Sequence, residues 1–187
     1  GPLHGLGADR WEFQRGFPEE VQTRSHDYVR EVDQLTAVTP VSRLHLTGNL
    51  TPDAAADLAA LGRLPAVGRL VALRLENHRV DAFGPDGVRA LAASPHLTRL
   101  RELTLESPNA DAGVVGVIAA SPAFAGLRRL ELPHPGTDTQ ECAEQLLRSP
   151  YLGDLDWVRL GDRPPFSPVY TRRSTPAFRP GGDGRPR

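Results

Sequence analysis

A hexapeptide that keeps returning constrains this chain more than any other feature. Leu70-Val71-Ala72-Leu73-Arg74-Leu75, Leu100-Arg101-Glu102-Leu103-Thr104-Leu105 and Leu127-Arg128-Arg129-Leu130-Glu131-Leu132 all read LxxLxL. Val41-Ser42-Arg43-Leu44-His45-Leu46 and Leu155-Asp156-Trp157-Val158-Arg159-Leu160 fit with one conservative change each. Their central residues are Leu44, Leu73, Leu103, Leu130 and Val158, at spacings of 29, 30, 27 and 28 residues. A second landmark keeps the same beat. Ser94-Pro95, Ser121-Pro122 and Ser149-Pro150 each sit just before one of these segments, and Leu64-Pro65 holds the matching place in the earliest unit. Two landmarks in phase are the mark of a stacked-repeat architecture.

The physics of one unit follows from its pattern. Leucines at alternate positions put both side chains on one face of a short strand. Between strands the sequence turns helical. Thr51-Pro52 offers an N-cap and a first-turn proline, ahead of helix formers from Ala54 to Leu61. Gly84-Pro85-Asp86 opens a second helix, with Val88, Leu91 and Ala92 on one face. Asp111 to Ala120 gives a third, in which Gly113 and Gly116 serve helix packing. Thr137 to Arg148 gives a fourth, with Cys142, Ala143 and Leu146 facing inward. Each recurring proline stops its helix and turns the chain toward the next strand. A strand-plus-helix unit cannot bury its apolar face alone, so copies must stack into one core.

These elements resemble the ribonuclease-inhibitor-like class of leucine-rich repeats, over about residues 40 to 161. The resemblance implies an α/β solenoid: a curved parallel sheet, helices on the convex side and an N-terminal cap. The class carries an Asn three residues after the second Leu of LxL. Asn49 holds that place in the first unit, and His78, Pro108 and Pro135 hold it later.

The expected organisation has four parts. Residues 1–10, opening on Gly1-Pro2, read as a tag remnant or a disordered lead. Residues 11–40 read as the N-terminal cap, 41–161 as the repeats, and 162–187 as a Pro/Gly/Arg-rich tail. Trp11-Glu12-Phe13-Gln14-Arg15-Gly16-Phe17, completed by Pro40-Val41-Ser42-Arg43-Leu44-His45-Leu46, resembles a bacterial repeat-companion domain that precedes such repeats. Trp11, Phe13 and Phe17 supply apolar area to cover a raw solenoid end. Ser25 can cap a helix carrying Tyr28, Val29, Val32 and Leu35. The tail prolines exclude a helix or a central strand, leaving an extended segment docked through Phe166, Tyr170 and Phe178.

Charge and motifs narrow the function classes. The formal net charge is -1, which argues against a dedicated nucleic-acid or membrane-surface protein. From Asp162 onward, however, six Arg stand against two acids, leaving sixteen Arg against twenty-one acids before it. An Arg-rich tail with interleaved aromatics is a minor route to nucleic acid. All 22 basic residues are Arg, a codon-bias signature that also favours bidentate pairing. There is no Met, as expected of a chain trimmed or excised from something longer, so a subunit or fragment of a larger assembly is the alternative reading. A single Cys permits no internal disulfide and fits a reducing, cytoplasmic setting. No apolar run approaches the roughly 20 residues of a membrane helix.

The six His form no HExxH or Cys/His metal spacing, and no GxSxG, P-loop or dinucleotide fingerprint occurs. Cys142 reads as a small core hydrophobe. No enzyme, cofactor or metal is therefore expected. What remains is a surface. The residues beside the strand leucines form columns: Arg43, Ala72, Glu102, Arg129, Trp157; then His45, Arg74, Thr104, Glu131, Arg159; then Thr47, Glu76, Glu106, Pro133, Gly161. Signs alternate between neighbours such as Glu102 and Arg129, or Glu131 and Arg159. Arg and Trp are common binding anchors. Trp157 can serve as one or as the platform on which the tail packs. The expected function is recognition of a protein partner, as a scaffold or regulatory module, through Arg43, His45, Arg74, Glu76, Glu102, Thr104, Glu106, Arg129, Glu131, Trp157 and Arg159. Five strands could just supply the about 800 Å² per partner of a standard interface.

Overall fold

The structure, a computed structural model, describes residues 8–14, 17–24, 32–34, 36, 41–47, 54–76, 84–106, 111–132, 139–161 and 169–171. The helix-opening Thr51-Pro52, positions 49, 78, 108 and 135, and Ser25, Tyr28, Val29, Leu35, Phe166 and Phe178 lie outside the described residues.

The chain folds as a mixed α/β structure on one open sheet, with eight strands in chain order among the described residues. They are β1 (Ala8–Gln14), β2 (Phe17–Arg24), β3 (Arg43–Thr47), β4 (Ala72–Glu76), β5 (Glu102–Glu106), β6 (Arg129–Leu132), β7 (Trp157–Leu160) and β8 (Val169–Thr171). β2 to β7 are all parallel. β1 and β8 pair antiparallel at the two edges. Helices α1 (Ala54–Arg63), α2 (Pro85–Ala92), α3 (Ala112–Ala120) and α4 (Thr139–Leu147) alternate with β3 to β7 and pack each on the next. The architecture is compatible with a repeat solenoid.

Register makes the core. Leu44, Leu73, Leu103, Leu130 and Val158 stand side by side across five strands, and none is more than 3% exposed. Leu46, Leu75, Leu105, Leu132 and Leu160 are equally buried beside them. Helix residues Leu58, Leu61, Val88, Leu91, Val114, Ile118, Cys142 and Leu146 complete the same cluster. Each buried Leu contributes about 1.5–3 kcal/mol relative to exposure. Cys142 is a fully buried thiol within this packing.

Two helices start where the sequence places them. Gly84 and Pro85 open α2. Asp111 caps α3, its carboxylate accepting from the N–H groups of Gly113 (2.9 Å) and Val114 (3.1 Å). α3 is apolar on nearly every side because it lies between α2 and α4. Its glycines allow the close approach: a Cβ on Gly113 would lie 2.8 Å from Pro85 Cγ, and one on Gly116 3.1 Å from Gln145 Nε2.

Two contacts recur with the period of the sequence. Just before each strand, one carbonyl accepts two N–H groups of the following unit. Ser42 serves Val71 and Ala72, Val71 serves Arg101 and Glu102, Arg101 serves Arg128 and Arg129, and Arg128 serves Asp156 and Trp157. The second is made at two of the three Ser-Pro landmarks, while Ser121 Oγ accepts from the Ala123 N–H of its own turn. Ser94 Oγ donates to Gly62 O (2.5 Å) at the end of α1, and Ser149 Oγ donates to Ala119 O (2.5 Å) near the end of α3. Both hydroxyls also accept from backbone N–H groups of their own turn. The serine thus shapes its turn while tying it to a preceding helix.

The ends hold what the repeat pattern does not show. β2 extends the parallel sheet one strand before the first LxxLxL segment, placing Val21 beside Leu44 and fully burying it. β2 carries Glu19-Glu20 and no leucine, so a search for LxxLxL passes over it. In the segment expected to be helical after Ser25, residues 32–34 and 36 are helical and Val32 is fully buried. At the far end, β8 brings Tyr170 opposite Val158 as an edge strand, directly after Pro168. This satisfies the proline argument against a central strand.

Candidate functional site

Because strand side chains alternate, burying the leucines turns their neighbours to the other face. The expected columns are real. Arg43, Ala72, Glu102, Arg129 and Trp157 pair in register, as do His45, Arg74, Thr104, Glu131 and Arg159. Thr47, Glu76 and Glu106 form the third. Its expected continuation through Pro133 lies outside the described residues, and Gly161 follows the end of β7. Register with β2 adds Glu20, Gln22 and Arg24 to the three columns. That addition was hidden with β2 itself.

The ion pairs mostly run between columns or along a strand. His45 Nε2 lies 3.1 Å from Glu76 Oε2, one strand over and one column along. Arg74 repeats this diagonal with Glu106 (2.6 Å) and also approaches Glu76 (3.8 Å). Arg43 makes the longest reach. Its Nη1 and Nη2 donate to Glu102 Oε2 and Oε1 at 3.0 and 2.8 Å. Two strand spacings are about 10 Å, and the intervening side chain is only Ala72. A planar guanidinium on a long stem bridges that gap as a bidentate fork. Glu102 is thus held by Arg43 across two strands, although its in-register neighbour is Arg129.

Arg129 is engaged elsewhere. Its Nε donates to Glu131 Oε1 (2.9 Å) on the same strand, and its guanidinium carbon lies 4.1 Å from the centroid of the Trp157 ring. Arg159 reaches the other Glu131 oxygen, as the alternation of signs anticipates. Trp157 therefore carries a cation on its face, while its backbone pairs in register with Thr171 of β8.

In two of the pairs depth separates the signs. The side chains of Glu131 and Glu106 are 10% and 24% exposed, whereas those of Arg129 and Arg74 are 50% and 46% exposed. Arg43 and Glu102, by contrast, are almost equally exposed at 38% and 35%. The column position held by Ala72 is a depression of about 190 Å³, bordered by Arg43, Arg74, Glu102, Thr104, Arg129 and Glu131.

The chemistry is that of fixed charge. The hydrogen bond from Arg43 holds the Glu102 carboxyl below the usual carboxylate range, against the opposing effect of partial burial and with help from the charges of Arg43 and Arg129. A carboxylate so held is a stable anion and a poor proton donor near neutrality. Among the described residues, no group of three or more His, Cys, Asp and Glu could hold a metal ion. Among them, too, no helix is long and apolar enough to cross a membrane.

Compared with protein-family models, curated proteins and solved structures, the chain gives no match.

Proposed function

We propose that the chain is a leucine-rich-repeat solenoid of the ribonuclease-inhibitor-like class, capped at its N-terminus, that recognises a protein partner through its polar strand face. One observation carries the reading: a registered array of Arg, Glu, His and Trp on the sheet face away from the leucine core, already tied into ion pairs. Side chains held by such pairs lose little freedom when a partner docks, so less binding energy is spent on ordering. In a solenoid this face is the concave one, shaped by small rotations between units. A buried single thiol suits the cytoplasmic setting that goes with this reading.

The test is an affinity capture from the native lysate, read by mass spectrometry, with the intact chain and with Arg74, Glu102 and Arg129 changed together to Ala. A protein captured by the parent and lost by the variant supports the strand face as the recognition surface. Equal capture by both moves recognition to the helices or the chain ends. No capture above background favours a packing role inside a larger assembly.

A further inference from the structure

The face is formally balanced: Arg43, Arg74, Arg129 and Arg159 match Glu76, Glu102, Glu106 and Glu131. Its depth is not balanced. A partner arriving from solvent meets guanidinium first, because Arg74 and Arg129 are about half exposed while their carboxylate partners lie beneath them. Beside these arginines the wall of long side chains drops at Ala72 and Thr104, where the face sinks into the depression of about 190 Å³, with the Arg43–Glu102 pair spanning Ala72. Resting on the recognition role proposed above, we propose that this depression receives an acidic side chain of the partner, an Asp or Glu carboxylate held between Arg74 and Arg129.

The geometry favours a single carboxylate over an extended polyanion. A guanidinium has five N–H donors. Arg74 directs its shortest bond, from Nη2, to Glu106, and donors remain for an incoming acid. The gap is narrow, set by two short side chains, Ala72 and Thr104, in neighbouring columns. A nucleic-acid backbone needs a continuous basic track, and here the exposed Arg74 and Arg129 are interrupted by carboxylates that repel a long anion lying flat. An acidic side chain entering end-on meets the upper layer and leaves the lower pairs intact. The bound acid would complete a charge-assisted pair with two donors converging on it.

The experiment titrates the intact chain into fluorescein-labelled hexaglutamate with blocked ends, and separately into a labelled twelve-residue oligothymidylate, reading anisotropy at near-physiological salt. Hexaglutamate should bind. Thr104→Leu, which fills the depression from its other short side chain and leaves Arg43 paired with Glu102 over Ala72, should weaken it about tenfold. Arg74→Gln should weaken it about fivefold, and Glu106→Gln should strengthen it about twofold. Circular dichroism confirms that each variant is folded; if Thr104→Leu is not, Thr104→Ile takes its place with the same expectation. Hexaglutamate binding that ignores the filled depression would overturn the proposal, since general attraction would then suffice. Oligothymidylate binding as tightly as hexaglutamate would overturn it in favour of nucleic acid. No hexaglutamate binding, together with lysate capture still lost in the Arg74, Glu102 and Arg129 triple variant, would overturn the acidic-partner inference and leave the recognition surface standing. Loss of both would remove the surface reading as well.

Discussion

The two faces of the same strands are built on opposite rules. On the core face, one residue type repeats in register: Leu44, Leu73, Leu103 and Leu130 differ only in which rung they occupy. On the polar face no two rungs are alike. Ala72, Glu102, Arg129 and Trp157 share a column yet make different contacts. The repeating face is governed by burial, which is non-directional and rewards any leucine that fills the layer. The other is governed by directed ion pairs, each worth little where solvent reaches it. Stability should therefore reside on one face and selectivity on the other.

Leu103→Ala tests this contrast most severely. Leu103 is fully buried at the centre of the column, and truncating a buried leucine costs about 2–5 kcal/mol. A loss of about 3–4 kcal/mol is expected in urea denaturation. Arg74→Ala, on the polar face one strand away, should stay within about 1 kcal/mol. Equal effects from the two would erase the division between the faces.

Glu131→Ala should blur the division most, because Glu131 is a buried charge on the polar face, at 8% exposure. It accepts from both Arg129 and Arg159. Its removal leaves Arg159 partly buried without its counter-charge. Fully buried broken pairs cost about 3–5 kcal/mol; with Arg129 half exposed, about 2 kcal/mol is expected. The same denaturation series reads it, and a loss below about 0.5 kcal/mol would place Glu131 with the ordinary surface charges.

How far each face could be read from residues alone follows from the same difference. The leucine pattern predicts register because a one-residue slip would turn every leucine to water. The columns on the polar face follow from that register, and so do the strands that bear them. Which charges pair does not follow. Adjacency predicts Glu102 with Arg129, but Arg43 takes Glu102 because Ala72 leaves the path open and an Arg side chain is long enough to use it. β2 was illegible for another reason: a single buried Val21 holds the place that a pair of leucines holds elsewhere. The Ser-Pro element was legible as a period, while its role in joining units needed the distance from Ser149 Oγ to Ala119 O.

That role gives a smaller effect of uniform sign. Ser149→Ala removes a donor to a helix-end carbonyl and an acceptor for two turn N–H groups. A loss of about 1 kcal/mol is expected. Ser94→Ala should lose a similar amount, because it makes the equivalent bond to Gly62. If the serines only terminate helices, exchanging them for Ala while keeping the prolines would leave the denaturation midpoint unchanged.

The smallest effect concerns the reach over Ala72. A double-mutant cycle on Arg43→Ala and Glu102→Ala should give a coupling of about 0.5–1 kcal/mol, since both side chains are more than a third exposed and solvent screens the pair. Its pH dependence separates it from the leucine face. Glu102 titrates below its ordinary value near 4.5 when folded, chiefly because Arg43 donates to its charged form. A depressed carboxyl contributes stability that is complete above the unfolded value and is lost as the pH falls through the folded one. The difference between the parent and Glu102→Gln should therefore hold steady from neutrality down to about pH 5 and shrink below it. Leu103→Ala should show no such pH dependence of its own. A Glu102→Gln difference that persisted unchanged into acid would mean that the carboxylate contributes by packing, and the two faces would then obey one rule.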